Sequence, residues 1–275
     1  MREVVHSAAA ELVRPGAFVR HAADSLHLSL TIAPRLARAN LRIRYRRSWL
    51  GYAWLFVPSA GAALLASLLV GPRAAGLGAG AIPYPAFVLV GMILWQLLVD
   101  TLSAPLRQLG ASRYVLARSP VPHEAFVLAG AAEALLACLL RLSILALPVL
   151  LWLGVRPGPE VLLLPLPLLG LALLGLALGM IVAPFGLLYD DAGSALALFT
   201  GFWFFLSPIL YPASRFEALA ANPATPLIEA GRGLIAGGDA PLGAVLLVAS
   251  GALPLLVLGW LFYRLAQPHL VARFG

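Results

Sequence analysis

Three charged side chains within apolar stretches are the first residues whose type and position suggest chemistry. Asp100, Glu133 and Arg141 each lie inside a long hydrophobic run. A charge at the centre of a bilayer costs about 2.5–3.5 kcal/mol on insertion scales, so we expect each to face protein or water. Asp100 and Glu133 lie within a few turns of the ends of their runs, whereas Arg141 lies near the middle. Two interpretations of Arg141 stay open: an ion pair with another helix, or a role in moving protons or substrate.

Side chains that catalysis or nucleotide binding would need are missing from these runs. All five histidines lie outside them, and the sequence has no His-Glu-x-x-His zinc motif and no nucleophile paired with a base. The chain contains no lysine, so it cannot form a P-loop for ATP. The single cysteine, Cys138, excludes an internal disulfide and suits a small packing role. We therefore expect no enzyme activity, no metal and no cofactor in this chain.

The elements that position these residues are expected to be membrane helices. Of the 275 residues, 61% are hydrophobic and 11% charged, whereas a soluble domain needs roughly a quarter charged. Apolar runs of about 20 residues, long enough for the hydrocarbon core, must be helical because lipid cannot bond a bare backbone. The sequence thus predicts an all-α integral membrane protein and excludes a soluble enzyme. The six predicted transmembrane helices are 53–70, 85–103, 126–153, 161–184, 192–210 and 242–263.

The position of the basic residues predicts the orientation. All 19 are arginines, and the formal net charge is +7. Fourteen lie on the side of both termini, against four on the other side and Arg141 within a span. The positive-inside rule then places both termini in the cytoplasm. Membrane surfaces account for the basic excess, so no nucleic-acid partner is expected. Residues 1–275 are one transmembrane domain, made of a cytoplasmic segment 1–52, a six-span core 53–263 and a cytoplasmic tail 264–275.

An amphipathic interface helix is predicted directly before the first span. A helix taken from Pro34 has one apolar stripe with arginines on its flanks, as in a helix lying at headgroup level. The stripe consists of Ile32, Leu36, Ala39, Ile43 and Leu50, and the flanks hold Arg35, Arg38, Arg42 and Arg46 on one side and Arg44 on the other. The aromatic belt that follows consists of Trp49, Tyr52 and Trp54. These arginines either bind anionic lipid or meet a phosphate-bearing substrate or a partner subunit.

Several stretches resemble motifs of the permease subunits of ABC-2 type transporters that export polysaccharides such as O antigen, capsule and teichoic acid. Residues 44–54 (RYRRSWLGYAW) are similar to the family's RYRRSxLGxxW motif, and residues 202–212 (FWFFLSPILYP) to its fflSPIxYp signature. Residues 222–232 resemble the following NPltplieayR motif. Residues 116–124 partly match a cytoplasmic loop that usually carries a basic pair followed by FPRE. Tyr189 stands where the family has the arginine of an Arg-Asp pair.

The resemblance implies a homodimer with a channel at the subunit interface, driven by two cytoplasmic ATPase subunits that bind ATP and Mg. It implies a short cytoplasmic coupling helix within 107–124 that docks on the ATPase; a merely basic, topogenic loop is the alternative. It also implies extracytoplasmic re-entrant helices between spans five and six, within 211–241. The candidate ATPase-coupling residues are Arg113, Arg118, His123 and Glu124.

The combined hypothesis is a permease of the bacterial inner membrane that exports a lipid-linked, O-antigen-like polysaccharide. Arginine donates paired hydrogen bonds to phosphate, and aromatic rings offer broad, rigid contact area for sugar rings. The candidate site for the carrier's pyrophosphate consists of Arg42, Arg44, Arg46 and Arg47. The candidate channel-lining residues are Trp95, Trp203, Phe204, Phe205 and Tyr211, with packing against lipid or the core as the alternative.

The alternative function is an ABC-2 permease for a drug, a peptide or a simple lipid. The positions of the histidines, outside the apolar runs, disfavour a stand-alone channel or a membrane enzyme.

Overall fold

The computed structural model describes residues 15–46, 49, 51–70, 82–111, 121–189, 191–216, 219, 221–236 and 238–274. These residues form helices joined by turns, as predicted. Their α-helices are α1 Pro15–Arg46, α2 Val57–Val70, α3 Tyr84–Ala111, α4 His123–Leu140, α5 Leu147–Trp152, α6 Pro165–Leu188, α7 Ala192–Phe205, α8 Ala224–Ala236 and α9 Leu242–Phe274. A π-helix, Arg141–Ala146, joins α4 to α5, and the 3-10 helices are Gly51–Leu55, Pro159–Leu163 and Ala213–Arg215.

Four helical stretches of the described residues are long and apolar enough to cross a membrane, so the chain is a multi-pass membrane protein. They are Tyr84–Ala111, His123–Trp152, Pro159–Gly186 and Leu242–Ala266, and each coincides with a predicted span. The predicted spans 53–70 and 192–210 contain shorter apolar helices. Both α2 and α7 have 14 residues, or about 21 Å of helix, against a hydrocarbon core of about 30 Å. Six complete spans therefore stay a prediction.

The helix at the centre of the bundle is α3. It packs against α2, α4, α6 and α8, and the side chains of Phe87, Ile93, Leu97 and Leu102 are at most 1% exposed. A helix that is apolar on all sides is expected to be surrounded by other helices. On the outside of the bundle, α9 packs along α6 and α1 packs along α4. The central helix therefore sets the positions of the elements around it.

Glycines on α6 allow that helix to approach α3 closely. A Cβ atom on Gly175 would collide with Oγ1 of Thr101 and would lie 2.7 Å from the carbonyl oxygen of Leu98. A Cβ on Gly179, one turn later, would collide with the carbonyl oxygen of Leu102. Small residues spaced by four positions let membrane helices make extensive van der Waals contact, which drives their association in lipid. The α3–α6 contact therefore depends on these two glycines.

The N-terminal helix is longer than predicted. It begins at Pro15 rather than Pro34 and continues through Pro34 to Arg46. Pro34 lacks the N–H that would bond the carbonyl oxygen of Leu30, but it lies on the exposed side.

Only part of the predicted apolar stripe of this helix packs against the bundle. Ala33 and Ala37 are buried against Ala129 of α4, and Leu36 of the stripe packs on the same cluster, whereas Ala39 is exposed and Ile43 is 71% exposed. Exposed apolar positions agree with a stripe that faces lipid, so the stripe stays a prediction, and its residue 50 lies outside the described residues. Hydrophobic periodicity finds the most apolar face, but contact between helices in lipid favours the face with the smallest side chains.

We predict that Gly175→Leu lowers the thermal stability of the detergent-purified protein, because the new side chain must force α6 away from α3. Overpacking of this kind typically costs about 1–3 kcal/mol. Gly201→Leu in α7 is the matched control, since a Cβ on Gly201 meets nothing within 4 Å. Equal unfolding temperatures for the two variants would contradict the close helix contact.

Candidate functional site

The turn after α7, residues 206–212, has backbone carbonyls that accept hydrogen bonds from side chains of other elements. We call it the SPI turn after Ser207-Pro208-Ile209. The three bonds run from Asn222 Nδ2 to the Leu206 oxygen at 2.7 Å, from Arg232 Nη2 to the Pro208 oxygen at 2.8 Å and from Tyr84 Oη to the Leu210 oxygen at 3.1 Å. Ser207 and Ile209 of the turn are buried, and buried backbone carbonyls without a helical partner need hydrogen bonds from other protein groups or from water. The three donor side chains therefore brace the turn between α3 and α8.

Asn222 connects the SPI turn to the start of α8. Its Oδ1 accepts hydrogen bonds from the amide of Ala224 and from Nε1 of Trp203, both at 3.0 Å. Its Nδ2 donates to Ser207 Oγ at 3.0 Å as well as to the Leu206 carbonyl. The bond from the Ala224 amide, two residues on, closes an Asx turn directly before α8. Both donors and both acceptor sites of the amide are used, so Asn222 has a structural role and no capacity left for a sugar hydroxyl.

Arg232 attaches α8 to the centre of the SPI turn. Its side chain is buried, and its Cζ lies 3.5 Å from the centre of the Phe87 ring. Arginine keeps its charge in buried sites, so the guanidinium is a cation enclosed by protein. Gly91 makes room for it, because a Cβ there would collide with Nη2. One turn before Arg232, Oε1 of Glu229 accepts a 3.3 Å bond from the Ala213 amide, so α8 contacts the turn and the residue that follows it.

The predicted channel aromatics occupy different environments. Trp95 is 5% exposed, and its ring centroid lies 5.5 Å from that of Trp203 and 6.0 Å from that of Phe204, both edge to face. Trp203 and Phe204 are half-buried, whereas Phe205 is 62% exposed on the outer side of α7. Tyr211 is half-buried and donates a hydrogen bond to the Phe205 carbonyl. Trp95 therefore belongs to the core of this subunit, and Phe205 is the candidate with the most open surface.

Arg141 is paired with a carboxylate of another helix. Its Nη1 lies 3.2 Å from Asp100 Oδ2, and its Nε donates to the Leu55 carbonyl at 3.0 Å. This is the first of the two interpretations that the sequence left open. Arg141 opens the π-helix, whose wider turn changes the direction in which the following side chains point. Cys138, one turn earlier, is fully buried among apolar side chains, as a packing residue would be.

The carboxylate of Glu133 joins three helices. Its Oε1 accepts hydrogen bonds from Asn40 Nδ2 of α1 at 2.7 Å and from Gln108 Nε2 of α3 at 3.0 Å. Asn40 also donates to Gln108 Oε1 at 3.2 Å. Sequence reasoning missed both amides, although Asn40 was visible as a polar residue on the small-residue face of α1. Among the described residues, no group of three or more His, Cys, Asp or Glu side chains could hold a metal ion.

The predicted pyrophosphate site is described only in part. Arg42 is exposed near the end of α1. Arg44 and Arg46 belong to the same helix, but their side chains and residue Arg47 lie outside what the structure describes. The aromatic residues that follow are exposed, as a membrane-interface belt requires: Trp49, Tyr52 and Trp54.

The predicted ATPase-coupling residues divide into two groups. Arg113 and Arg118 lie outside the described residues. His123 and Glu124 form the first turn of α4 and are buried, with 9% and 7% of their surfaces exposed. Glu124 contacts Arg264 of α9, and His123 packs edge to face on Tyr263. The structure therefore places both residues against α9 and not on an exposed surface.

The sequence is similar to that of known membrane transport proteins. The sequence profile of the family described as ABC-2 type transporter matches residues 35–235, from within α1 to the end of α8. The "O-antigen export system permease protein RfbA" of Myxococcus xanthus is 26% identical over 204 residues, which are 70% of this chain and 75% of that protein. The matched range of the family contains the SPI turn and the residues that brace it.

We predict that Asn222→Ala destabilises the protein by about 1–3 kcal/mol, because the Leu206 carbonyl and the Trp203 indole lose their partner. Asn222→Asp should lie between wild type and Asn222→Ala, since the carboxylate still accepts from Trp203 and Ala224 but cannot donate. Thermal unfolding of the purified variants measures both effects. The control is Ser250→Ala, which removes an exposed hydroxyl of α9 and should have no effect. If Asn222→Ala unfolds at the wild-type temperature, Asn222 does not brace the turn.

Proposed function

The chain belongs to the ABC-2 type transporter family, and on this premise we propose that it is the permease subunit of an ATP-driven exporter of a lipid-linked polysaccharide. A member of this family is a membrane transport subunit and is not itself catalytic. The observation that carries the proposed substrate class is the similarity to a permease named for O-antigen export. The range matched by the family contains the SPI turn, which lies beside the aromatic cluster of Trp95, Trp203 and Phe204.

The proposed complex contains two copies of this chain and two cytoplasmic ATPase subunits. Family membership implies association with an ABC ATPase, and the sequence without lysine offers no P-loop of its own. ATP and Mg²⁺ would bind the partner. We place the complex in the bacterial inner membrane with both termini in the cytoplasm, as the arginine distribution predicts.

The basic side of α1 is the proposed site at which the lipid carrier is recruited. The proposed residues are Arg42, Arg44, Arg46 and Arg47. Arg42 is exposed, as are Arg35 and Arg38 earlier on the same helix, while Ala33 and Ala37 on the other side pack on α4. A helix at headgroup level with a free row of guanidinium groups can bind phosphate, because the planar fork donates paired hydrogen bonds. The pyrophosphate of a lipid carrier has the matching charge and lies at the same depth.

The glycan is proposed to pass along aromatic rings of α7 and then past the SPI turn. Phe202 and Phe205 are both more than half exposed on α7, and rings of this kind contact sugar faces without bonding each hydroxyl. Phe205 packs edge to face on Phe204, which in turn packs edge to face on Trp95. The SPI turn and α8 form the proposed re-entrant element on the extracytoplasmic side. The hydrogen bonds from Asn222 and Arg232 hold the non-helical SPI turn against α8.

Deletion of the gene tests the substrate class. We expect lipid-linked glycan to accumulate inside the cell while the surface polymer is lost. Unchanged surface polymer in the deletion strain would contradict polysaccharide export and favour export of a drug, a peptide or a simple lipid.

We predict that the combined variant Arg44→Gln, Arg46→Gln, Arg47→Gln abolishes export while the complex still assembles, because glutamine lacks the charge that binds pyrophosphate. Surface polymer reports export, and co-purification with the ATPase reports assembly. The control is Arg156→Gln, an exposed arginine between α5 and α6, which should export normally. Normal export by the triple variant would show that these arginines serve topology or lipid binding only.

A further inference from the structure

A buried contact at the start of α4 joins three distant parts of the chain. Oε1 of Glu124 accepts hydrogen bonds from Arg264 Nε at 3.0 Å and from Trp260 Nε1 at 3.2 Å, both on α9. Nη2 of the same Arg264 donates to Ser25 Oγ of α1 at 2.5 Å. We call these four residues the Glu124 joint. Through it, α4, α9 and α1 are held by directional bonds at one point.

The joint is enclosed by protein. The side chains of Glu124 and Arg264 are 8% and 13% exposed, and the Arg264 Cζ lies 5.1 Å from the Trp260 ring centre. A buried ion pair adds little net stability compared with an apolar pair, but loss of one partner leaves an uncompensated buried charge. The joint therefore favours one arrangement of the three helices over others more than it adds to stability.

The location of Glu124 in the sequence indicates which helices a movement at the start of α4 would reach. Glu124 is the second residue of α4 and the last residue of the range, 107–124, in which the coupling helix is predicted. Because His123 and Glu124 belong to both, a displacement of the coupling segment would act directly on the first turn of α4. The joint conveys this movement to α9, which packs along α6, and α6 packs along the central helix. It also conveys the movement to α1, which carries the basic side proposed to recruit the lipid carrier.

We propose that Glu124 is a positioning residue that transmits ATPase-driven movement from the coupling segment to α9 and α1 through Arg264. This differs from the sequence prediction, in which Glu124 touches the ATPase itself. The inference rests on the proposed function in requiring an ATPase partner. It does not depend on the substrate being a glycan.

The test compares variants of the purified complex of this chain with its ATPase, reconstituted in lipid. Glu124→Gln and Arg264→Gln each break the ion pair, and the exchanged variant Glu124→Arg, Arg264→Glu re-forms it with the charges reversed. The matched control is Glu160→Gln, an exposed carboxylate in the 3-10 helix Pro159–Leu163. ATPase binding, ATP hydrolysis and export are measured on the same preparations.

We expect both single variants to bind the ATPase and hydrolyse ATP as wild type does but to export about tenfold less, while the exchanged variant recovers export. The control should export normally. Wild-type export by both single variants overturns the proposal. Loss of ATPase binding in Glu124→Gln overturns it as well, because Glu124 would then be a docking contact. Failure of the exchanged variant to recover any export also counts against the joint.

Each single variant leaves one buried charge without its partner, which could prevent folding, so a double variant serves as a further test. Glu124→Gln, Arg264→Met removes both charges and therefore avoids that penalty. It should fold, bind the ATPase and still hydrolyse ATP with little export. Export at the wild-type rate by this variant overturns the proposal.

A second measurement needs no substrate and so separates this inference from the proposed function. Spin labels on Leu28→Cys in α1 and Leu258→Cys in α9 occupy exposed positions, and the native Cys138 is buried. In the complex with wild-type Glu124, trapping the ATPase with nucleotide should change the distance between the labels, and Glu124→Gln should remove that change. An equal change in both proteins overturns the proposal. If the wild-type complex shows this change but exports no polysaccharide, the proposed substrate class is wrong and the joint stands.

Discussion

The hydrocarbon core of a bilayer has no hydrogen-bond donors or acceptors, and each polar group left unpaired there costs several kcal/mol. The backbone N–H and C=O groups of a helix bond to one another, so the long helices of this protein need no side-chain donors for their carbonyls. The interior of a protein sets the same requirement, and the buried SPI turn, which leaves the helical conformation, needs donors from elsewhere. Asn222, Arg232 and Tyr84 supply them to three carbonyls. This requirement is what ties the end of α7 to α8 and to the start of α3.

The same constraint explains how the charged groups connect the helices. Arg141 pairs with Asp100, Glu133 accepts from two amides, and Glu124 accepts from α9. In each case the partners lie on different helices. Lipid tails are as apolar as leucine, so burial of leucine does little to choose one helix arrangement over another. Polar links and close contacts at small residues make that choice instead.

Much of the fold was predictable because a long apolar run in lipid has one stable form. The predicted span 85–103 lies within α3, and 161–184 lies within Pro159–Gly186. Asn222-Pro223 is a sequence typical of a turn before a helix, and in the structure Asn222 closes an Asx turn directly before α8. The positions of the spans and of this turn are determined by neighbouring residues in the sequence, and a sequence pattern can therefore predict them.

Contacts between elements were not predictable in the same way. The partners of Glu133 lie 25 and 93 positions away, and no local pattern names them. The packed face of α1 was missed because its side chains are small and not strongly apolar. Burial of Trp95 and exposure of Phe205 depend on how α3 and α7 cross, and successive aromatic residues in a sequence do not say which of them faces inward.

Gly91 shows how a buried cation constrains a residue far away in the sequence. The guanidinium of Arg232 occupies the space that a side chain at position 91 would fill, and the same guanidinium bonds the Pro208 carbonyl. A methyl group at 91 would push the cation away from that oxygen. The two positions are therefore expected to change together among relatives of this chain: where position 91 gains a side chain, position 232 should lose its arginine, and the SPI turn should obtain its donor from another residue.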